Sequence, residues 1–473
     1  MGNLKYIKAY LKRFCLFLVL SGSCVVAWGQ VQQDTVKMRL FDETVFYDGY
    51  LVNNNPDKEL FEQDGILRNY TYLYSKKLTD EQLDSFGEFV RMNVWIKACC
   101  DNYDRIGNIN LALIPKELKE YDALKFTDSR IELGRFITPF MNKNKQPDVV
   151  PYSFQTDYLS YIFRDRNLRE KYAFWVEFEL FGVPYAANQQ VVGCEGRNDV
   201  FFASLEFSTW NPLPQTDKNI LVPIVMKMPE YMGGVNLNNY HENCTDTIGK
   251  TVKTYMFDVP TDVEDSQLVL VTSNHGANQG GEEYNRRWHY VYVDDELVLT
   301  YKPGRTSCEP FRKYNTQGNG IYGYFKKSDE VWQSFSNWCP GDVIDNRVIN
   351  LGAMKAGKHR VRISVPEAEF KDKQGFIPVS MFFQGLTEGR LPVGMDQLFV
   401  GETGLPELLW TADGLTITAS EPIVGVEIYD LQGNCLRRVA GGGPIAFSAY
   451  PSGMYLVHVE LTGDIVYTMK LLK

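Results

Sequence analysis

Residues 89–114, FVRMNVWIKACCDNYDRIGNINLALI, decide the fold, because two apolar runs in this stretch flank a short acidic segment. The runs 89–96 and 106–114 have the length and apolar character of β-strands, and the segment between them has the composition of a turn. Asp104 lies beside Arg105 in this turn, where buried strands would hold both side chains in place. The pair is therefore a candidate site, and a solvated turn with a local ion pair is the alternative.

Runs of the same kind continue along the chain, which predicts an almost entirely β protein. A short helix is predicted at 79–86, with Thr79 as its N-cap and Gln82 at the capping-box position. Residues 294–296 are predicted to form a hairpin turn, and the segment 208–218 a linker between two β domains. Turn residues between the runs favour two consecutive sandwiches or jelly rolls, whose interface could form a cleft. The further predicted strands cover residues 131–140, 172–181, 200–207, 220–227, 251–257, 268–272, 289–293, 297–301, 347–351, 360–365 and 377–383.

Length and composition narrow the possible functions. The 473-residue chain is long enough for two or three domains. Aromatic residues make up 14% of the chain, an excess that favours β-sheet. The formal net charge of −10 argues against nucleic acid or an anionic membrane as a partner, because phosphate binding requires clustered Lys and Arg. Neutral ligands such as sugars remain possible.

The N-terminus has the pattern of a secretory signal peptide. Basic residues precede the apolar run 14–26, and the small-residue pattern AWG at 27–29 resembles a cleavage site. We therefore expect a leader at 1–29 and an exported mature chain, with lipidation at Cys24 as the alternative. No later run is long and apolar enough to span a membrane.

The cysteines and histidines do not indicate a metal site. Seven cysteines would remain after removal of the leader, and this odd number leaves at least one thiol unpaired. The pairing of Cys99, Cys100, Cys194 and Cys244 stays open. The chain has no CxxC or HExxH motif and its five histidines are scattered, so we predict neither a metal nor a cofactor.

The region from about residue 401 differs from the rest in its short strands and Gly-rich turns. Three of its segments resemble the C-terminal sorting domain of Bacteroidetes proteins exported by the type IX system: VEIYDLQGNCLRRV, YPSGMYLVHVE and the terminal KLLK. The resemblance implies a small β-sandwich at 400–473 that serves as an export address. It also implies the type IX machinery as a partner and a final location outside the outer membrane, secreted or at the cell surface. The strands predicted in this region cover residues 415–419, 424–429, 445–448, 454–461 and 466–471.

Two acidic clusters lie inside or beside predicted strands, where a charge is costly. In the strand FWVEFELF, Glu177 and Glu179 are two residues apart and share a face, which is either an outer polar surface or the lining of a cleft. If that face were core, burial would raise the pKa of at least one carboxyl. In the segment GGEEYNRRWH we expect a loop that enters a strand, with Glu283, Arg287 and His289 on one face.

The chain has no GxSxG, P-loop or GxGxxG motif, so carboxylates and aromatic residues are the remaining candidates for chemistry. Over roughly 36–383, five segments resemble the bacterial peptide:N-glycosidase F family in order and approximate spacing. GRFITP and WCPG are the most specific matches. The five segments are CDNYDRIGNINL, IELGRFITPFM, WVEFELF, EEYNRRWHYVYVD and NWCPGDVIDNR.

This resemblance implies an all-β fold of two adjacent eight-stranded jelly rolls, which we place at 30–212 and 213–395. It implies hydrolysis of the amide bond that joins an asparagine side chain to the first N-acetylglucosamine of an N-glycan, leaving aspartate and a glycosylamine. N-glycosylated proteins or glycopeptides would be the substrates. The chain would act as a monomer.

Site residues also follow from the resemblance. It implies Asp104, Glu283 and Glu179 as catalytic residues. The implied substrate-binding residues are Arg105, Arg347, Tyr103 and Phe181, and the implied disulfide joins Cys308 to Cys339. An amide is a poor electrophile, so one carboxylate would activate water while other polar groups stabilise the oxyanion or protonate the leaving nitrogen. The sequence does not order the roles of Asp104 and Glu283.

Three departures from the family pattern fall close to these residues. Gly281 and Asn285 stand where the family has two cysteines that bracket the second-domain glutamate. Phe181 stands where the family has a tryptophan. The turn at 273–276 lacks a second tryptophan of the family pattern. A non-catalytic glycan-binding protein of the same fold and a carboxylate-pair glycoside hydrolase therefore stay as alternatives.

Overall fold

We analysed a computed structural model of the chain. It describes residues 35–53, 65–118, 121, 129–226, 235–240, 245–277, 280–318, 321–335, 337–391, 407–411, 414–419, 422–430, 435–446, 450, 454–461 and 465–472. The predicted leader and Cys244 lie outside the described residues. Within these ranges, no helix has the length and apolar character needed to cross a membrane.

Between residues 35 and 212, the described residues form nine strands and four short helices. A 3-10 helix, Gly49–Asn53, follows the first strand. The strands are β1 (Val36–Tyr47), β2 (Ile66–Tyr70), β3 (Leu73–Lys77), β4 (Gly87–Ala98), β5 (Ile106–Pro115), β6 (Arg130–Ile137), β7 (Val149–Gln155), β8 (Tyr172–Leu180) and β9 (Asp199–Pro212). The helices are α1 (Asp80–Asp84), α2 (Leu159–Phe163), α3 (Arg166–Lys171) and α4 (Tyr185–Gln190).

From residue 219 to 386, the described part of the chain contains a second set of nine strands. One helix, α5 (Asp329–Phe335), and the 3-10 helices Glu309–Tyr314 and Lys371–Lys373 lie in its connections. The strands are β10 (Asn219–Val225), β11 (Val252–Val259), β12 (Asp265–Thr272), β13 (His289–Val293), β14 (Glu296–Tyr301), β15 (Val343–Ile344), β16 (Arg347–Asn350), β17 (Gly357–Ser364) and β18 (Val379–Leu386).

Each set folds into two facing antiparallel sheets, which confirms the predicted all-β jelly-roll architecture. The first jelly roll has the strand orders β1-β9-β4-β7 and β15-β6-β5-β8-β3-β2, and the second has β10-β18-β12-β16 and β11-β17-β13-β14. Alternate side chains fill the space between facing sheets. Met92 and Val94 of β4, for example, share a fully buried core with Val176 and Phe178 of β8.

The two jelly rolls are joined through one sheet of each. Strand β15 belongs to the second half of the chain but pairs with β6 of the first jelly roll. Beside it, Arg135 is fully buried and forms an ion pair with Glu132, with Nη2 2.7 Å from Oε2. Its Nη1 donates to Ser273 Oγ (2.7 Å) and to the carbonyl oxygen of Pro378 (3.0 Å) in the second jelly roll. These contacts fix the relative position of the two domains at their interface.

A third group of strands follows residue 400. Val426, Ile428, Val457 and Val459 are buried in its core. Its sheets have the orders β19-β20 and β22-β21-β23-β24, where the strands are β19 (Glu407–Thr411), β20 (Gly414–Thr418), β21 (Ile423–Tyr429), β22 (Cys435–Ala440), β23 (Met454–Leu461) and β24 (Ile465–Leu472). Strands β19 and β22 were not predicted from the sequence. Of the strand predicted at 445–448, Ile445 forms only an isolated bridge, and 447–448 lie outside the described residues.

Two local predictions are confirmed by hydrogen bonds and backbone geometry. Thr79 caps α1, because its Oγ1 accepts from the N–H of Gln82 (3.1 Å) while Gln82 Oε1 accepts from the N–H of Thr79 (2.9 Å). Asp294 and Asp295 form the two-residue turn between β13 and β14, with φ values of 49° and 73°. Positive φ at both positions is typical of the turns that match the twist of a hairpin.

The predicted linker at 208–218 is wrong in its first half. Strand β9 continues to Pro212, which pairs with Gly87 of β4. Thr209 is fully buried, and the ring of Trp210 stacks on Phe89 at 5.6 Å. Packing of these side chains therefore extends the strand through a segment whose composition resembles a linker.

Candidate active site

A cleft of about 290 Å³ contains carboxyl groups from both jelly rolls. Asp104 and Arg105 enter it from the loop between β4 and β5, and Phe181 enters from the end of β8. Glu283 enters it from the loop before β13. The structure thus brings together four of the predicted site residues. The cleft is lined by Tyr50, Asp104, Arg105, Ile106, Ile137, Phe181, His275, Gly276, Glu283, Trp338 and Phe376.

The loop that carries Asp104 is held by the buried side chain of Asp101. The Asp101 carboxylate accepts hydrogen bonds from the backbone N–H groups of Tyr103 (2.9 Å) and Val183 (2.7 Å). It also forms an ion pair with Arg105, with Nε 2.6 Å from Oδ2. Charge-assisted hydrogen bonds of this kind are strong. The local ion pair of the loop therefore joins Arg105 to Asp101 rather than to its neighbour Asp104.

Thr138 of the GRFITP run anchors the other end of this loop. Its N–H donates to the carbonyl oxygen of Arg105 (2.8 Å), and its Oγ1 accepts from the N–H of Arg105 (2.7 Å). The same Oγ1 donates to the carbonyl oxygen of Tyr103 (3.1 Å). A disulfide between Cys100 and Cys194 closes the base of the loop. The backbone on both sides of Asp104 is therefore fixed.

The loop that carries Glu283 is held mainly by the amide of Asn337. This buried side chain donates from Nδ2 to the backbone carbonyl oxygens of Glu282 (2.8 Å), Glu283 (2.7 Å) and Asn285 (3.2 Å). Glu283 Oε2 accepts from the N–H of Ala277 (2.9 Å). Together these bonds direct the Glu283 carboxyl into the cleft.

Glycine is required beside Glu283 because of a close approach. Gly276 has a φ of +76°, and a Cβ atom at this position would lie 2.5 Å from the ring of Phe376. Any side chain here would collide with a wall of the cleft and strain the backbone.

In the GGEEYNRRWH segment the predicted loop before a strand is present, but the predicted shared face of Glu283, Arg287 and His289 is wrong. Its strand begins only at His289, and the residues before it form a turn. Arg287 forms an ion pair with the buried Glu282, with Nη2 3.0 Å from Oε1, and so does not accompany Glu283 into the cleft. Of the two adjacent glutamates, Glu283 lines the cleft.

The charge of one cleft carboxyl group perturbs the other. Burial, together with the nearby negative charge of Glu283, raises the pKa of Asp104 to about 7. Burial also raises the pKa of Glu283, although hydrogen bonds from the Ala277 N–H and the Tyr284 side chain favour its ionised form. Close carboxyl groups resist simultaneous ionisation, which is a common arrangement in acid–base catalysis.

Glu179 is not among the described residues that line the cleft. It pairs in register with Asn108 of β5 and is 2% exposed. Phe181, two residues further on and just past the end of β8, does line the cleft. Glu177 forms a buried ion pair with Arg130 (2.9 Å). The acidic face of β8 is therefore buried, rather than solvated or part of the cleft wall.

Arg347 and Tyr103 are likewise not among the described residues that line the cleft. The Arg347 guanidinium lies 3.9 Å above the ring of Tyr301, beside the core of the second jelly roll. Tyr103 is 39% exposed, and its ring packs against Phe140 at 5.7 Å. Their roles toward a substrate stay predictions.

Several cleft residues were not found by sequence reasoning. Tyr50, His275, Trp338 and Phe376 line the cleft, and Asn337 positions the second loop. Two of these residues, Asn337 and Trp338, lie in the NWCPG segment that resembles the family. The signal for the others would have been long-range contacts, which a single sequence does not show.

The disulfide predicted from the resemblance is present between Cys308 and Cys339. Among the described residues, one group has metal-ligand spacing: Cys99, Cys100 and Asp199. Cys100 is in a disulfide, and the Cys99 thiol donates to Asp199 Oδ2 (3.1 Å). Burial raises the pKa of Cys99 to about 12, which keeps it a thiol. The group therefore does not fit a metal ion in the oxidised chain.

Two family models match the chain. Peptide-N-glycosidase F, N terminal, matches residues 37–197, and Peptide-N-glycosidase F, C terminal, matches residues 240–384. Together the matches cover well over half of the sequence. The chain belongs to the peptide-N-glycosidase F family. A comparison with curated proteins finds no match.

Solved structures share the fold of this family member. PNGF-II in its P21 crystal form is 19% identical with a TM-score of 0.52, over 76% of this chain and 66% of that one. In its C2 form the identity is 21% and the TM-score 0.52, over 75% and 65%. The chain thus spans just under two thirds of PNGF-II. PNGase F of Flavobacterium meningosepticum, described as a glycosylasparaginase, is 14% identical with a TM-score of 0.49, over 76% and 98%.

Proposed function

We propose that this member of the peptide-N-glycosidase F family hydrolyses the amide bond between asparagine and N-acetylglucosamine in N-glycoproteins or glycopeptides. The observation that carries the proposal is the meeting of Asp104 and Glu283, from different jelly rolls, in one cleft. Amide hydrolysis needs a base for water and a proton for the leaving nitrogen. A carboxyl group with a pKa near neutrality can accept the proton from water and then donate it to the leaving nitrogen.

We assign Asp104 as the base. Its pKa of about 7 makes its carboxylate more basic than an ordinary one, and it is ionised in neutral to alkaline solution. In the proposed reaction it accepts a proton from water as the oxygen attacks the carbonyl carbon of the asparagine side chain. It then gives this proton to the nitrogen as the carbon–nitrogen bond breaks. The products are aspartate and a glycosylamine.

Glu283 and Arg105 would hold the substrate in position. Hydrogen bonds from Ala277 and Tyr284 favour the ionised form of Glu283, so its carboxylate is suited to accept a hydrogen bond from the N–H of the scissile amide. Arg105 lines the cleft with its side chain 23% exposed, and it would donate to the oxygen that becomes negative. Glu179, one row behind, would support this wall.

Digestion of an N-glycopeptide in heavy-oxygen water, read by mass spectrometry, tests the function. We expect aspartate that carries solvent oxygen at the former glycosylation site. Asparagine that still bears one N-acetylglucosamine would make the protein a glycoside hydrolase. An intact glycopeptide that binds without turnover would make it a glycan-binding protein.

Export and assembly belong to the same proposal. The leader pattern at 1–29 and the similarity of 400–473 to a sorting domain support secretion through a type IX system, with the enzyme free or at the cell surface. The separate core of the C-terminal strands supports a distinct module there. A monomer would suffice, because one chain supplies both Asp104 and Glu283. Secretion of a fusion of residues 400–473 to a reporter, with and without the type IX machinery, tests the export route.

A further inference from the structure

We propose that Tyr50 and Tyr185 form a binding subsite for sugar rings of the glycan beyond the first two N-acetylglucosamines. We call these two residues the tyrosine platform. The inference rests on the proposed function and extends it, since it concerns the part of the substrate that lies away from the scissile amide.

The platform is an exposed aromatic surface that continues one wall of the cleft. Tyr50 lines the cleft with Asp104 but is still 52% exposed, and Tyr185 is 55% exposed. The two rings are nearly parallel, at 7°, with centroids 6.3 Å apart. The ring of Tyr50 meets Phe181 edge-on at 5.1 Å. Large exposed aromatic residues next to one another are uncommon on a protein surface and often mark a binding site.

The buried carboxylate of Asp48 builds the platform. Asp48 is 5% exposed, and its Oδ1 accepts from the N–H of Tyr50 (3.0 Å). Burial and the nearby Asp48 carboxylate raise the pKa of the Tyr185 hydroxyl, so this carboxylate lies beside the second ring as well. Next to it, a Cβ atom on Gly49 would lie 2.3 Å from the ring of Phe181, so glycine allows the Tyr50 segment to approach the cleft wall. Both rings are thus held in place before a ligand arrives, which lowers the entropic cost of binding.

The chemistry of the platform favours a neutral sugar. Its exposed surface consists of two rings with a phenolic hydroxyl each, and its charged group, Asp48, is buried beneath them. Tyrosine offers an apolar face and a polar edge, and a pyranose ring likewise has a C–H face and hydroxyl groups at its edge. The platform also continues from Phe181, the cleft residue that the family resemblance assigns to substrate binding. These features fit the glycan better than a charged peptide segment.

The test compares the double variant Tyr50→Ala/Tyr185→Ala with the unaltered protein on three glycopeptides. One carries a complete N-glycan, the second carries the same peptide with the glycan trimmed to two N-acetylglucosamines, and the third carries the complete glycan on a shorter peptide. We expect kcat/KM of the variant to fall about tenfold on both substrates with the complete glycan. On the trimmed glycan it should change less than threefold, roughly the effect of a weak surface contact.

Equal losses on complete and trimmed glycans would overturn the inference, and so would a loss that depends on peptide length instead. The proposed function fails separately, if the unaltered protein releases no glycan from any of the three. Tyr185→Phe retains the aromatic ring, so it should retain most of the kcat/KM on the complete glycan. Tyr324→Ala is the matched control, because Tyr324 is 99% exposed and does not line the cleft. Thermal unfolding of each variant checks the fold, and Tyr185→Ala alone replaces the double variant if that protein is unstable.

Discussion

The two loops that face each other across the cleft hold their carboxyl groups by different means. The loop with Asp104 is closed by the Cys100–Cys194 disulfide and clamped by the charged Asp101. The loop with Glu283 is held by a neutral amide, Asn337, through three backbone carbonyl oxygens. A covalent bond and an ion pair tolerate the loss of one contact better than a single donor group does.

This difference bears on the departure from the family pattern at residues 281 and 285. A disulfide between these positions would bracket Glu283, but here they are Gly281 and Asn285. The side chain of Asn337 donates hydrogen bonds to the carbonyl oxygens of Glu283 and Asn285, which lie within the segment 281–285. Hydrogen bonds from one buried side chain therefore do what a cross-link would do. We expect the second loop to be the more easily displaced of the two.

The largest effect should come from removing the base on the rigid loop. Asp104→Asn keeps the shape of the side chain but cannot accept a proton from water, so we expect kcat/KM to fall about 10²- to 10⁴-fold. Thermal stability should not fall, because burial opposes the charge of Asp104 in the folded protein. Steady-state kinetics on a labelled glycopeptide measure the rate, and Asp84→Asn, at an exposed carboxyl, is the control. A rate within tenfold of the unaltered protein would remove Asp104 from its assigned role.

A second prediction concerns the charge that one loop exerts on the other. Because Asp104 acts in its ionised form, kcat/KM should rise as pH increases through about 7. Glu283→Gln removes the negative charge that helps to raise the pKa of Asp104, so the rising limb should move to lower pH. The same variant should lose about 100-fold in rate, since the neutral amide oxygen of Gln is a weaker hydrogen-bond acceptor than a carboxylate. A falling limb near pH 7, or an unmoved limb in the variant, would contradict the assignment of Asp104 as the base.

A third prediction addresses the anchor of the second loop. Asn337→Leu has a similar volume but leaves three carbonyl oxygens without their donor, at a cost of about 1–3 kcal/mol in stability. We expect kcat to fall about tenfold and the pH limb to shift as it does in Glu283→Gln, because Glu283 moves away from Asp104. The shifted limb separates positioning from a loss of stability alone.

The matched control for this anchor is Asn346→Leu. Asn346 also donates from Nδ2, to the carbonyl oxygen of Leu133 (2.6 Å) and to Tyr158 Oη (3.2 Å), but away from the cleft. It should lose stability without a change in kcat or in the pH limb. Identical pH profiles for the two variants would show that Asn337 does not position Glu283.

The sequence predicted the elements of this site better than their contacts. Apolar runs located the strands on both sides of Asp104. The family resemblance pointed to Glu283, which lines the cleft, and to the Cys308–Cys339 disulfide, which is present. Both signals are local or carried by short motifs. Such signals do not reveal that Asp101, rather than Asp104, takes the guanidinium of Arg105.

Contacts between distant segments account for the remaining differences. Asn337 reaches a loop more than 50 residues away along the chain, and Arg347 lies over Tyr301 instead of facing the cleft. Glu179 reads as part of an amphipathic strand, but the second face of that strand is buried as well. Alternation shows which side chains share a face and does not show what covers that face.

The smallest effect on rate should come from the cross-link of the first loop. Cys100→Ser/Cys194→Ser opens a loop of 94 residues, and its counterpart Cys308→Ser/Cys339→Ser opens one of 31. On chain entropy alone the longer loop contributes about 1 kcal/mol more to the free energy of unfolding, within the 2–5 kcal/mol that a native disulfide provides. Well below the unfolding temperature, Asp101 and Thr138 still hold Asp104, so kcat/KM should fall less than fivefold in either variant. Denaturant unfolding with kinetics at low temperature measures both quantities. A loss of rate in the first variant as large as that in Asn337→Leu would mean that the covalent bond, and not the charged clamp, makes the first loop the rigid one.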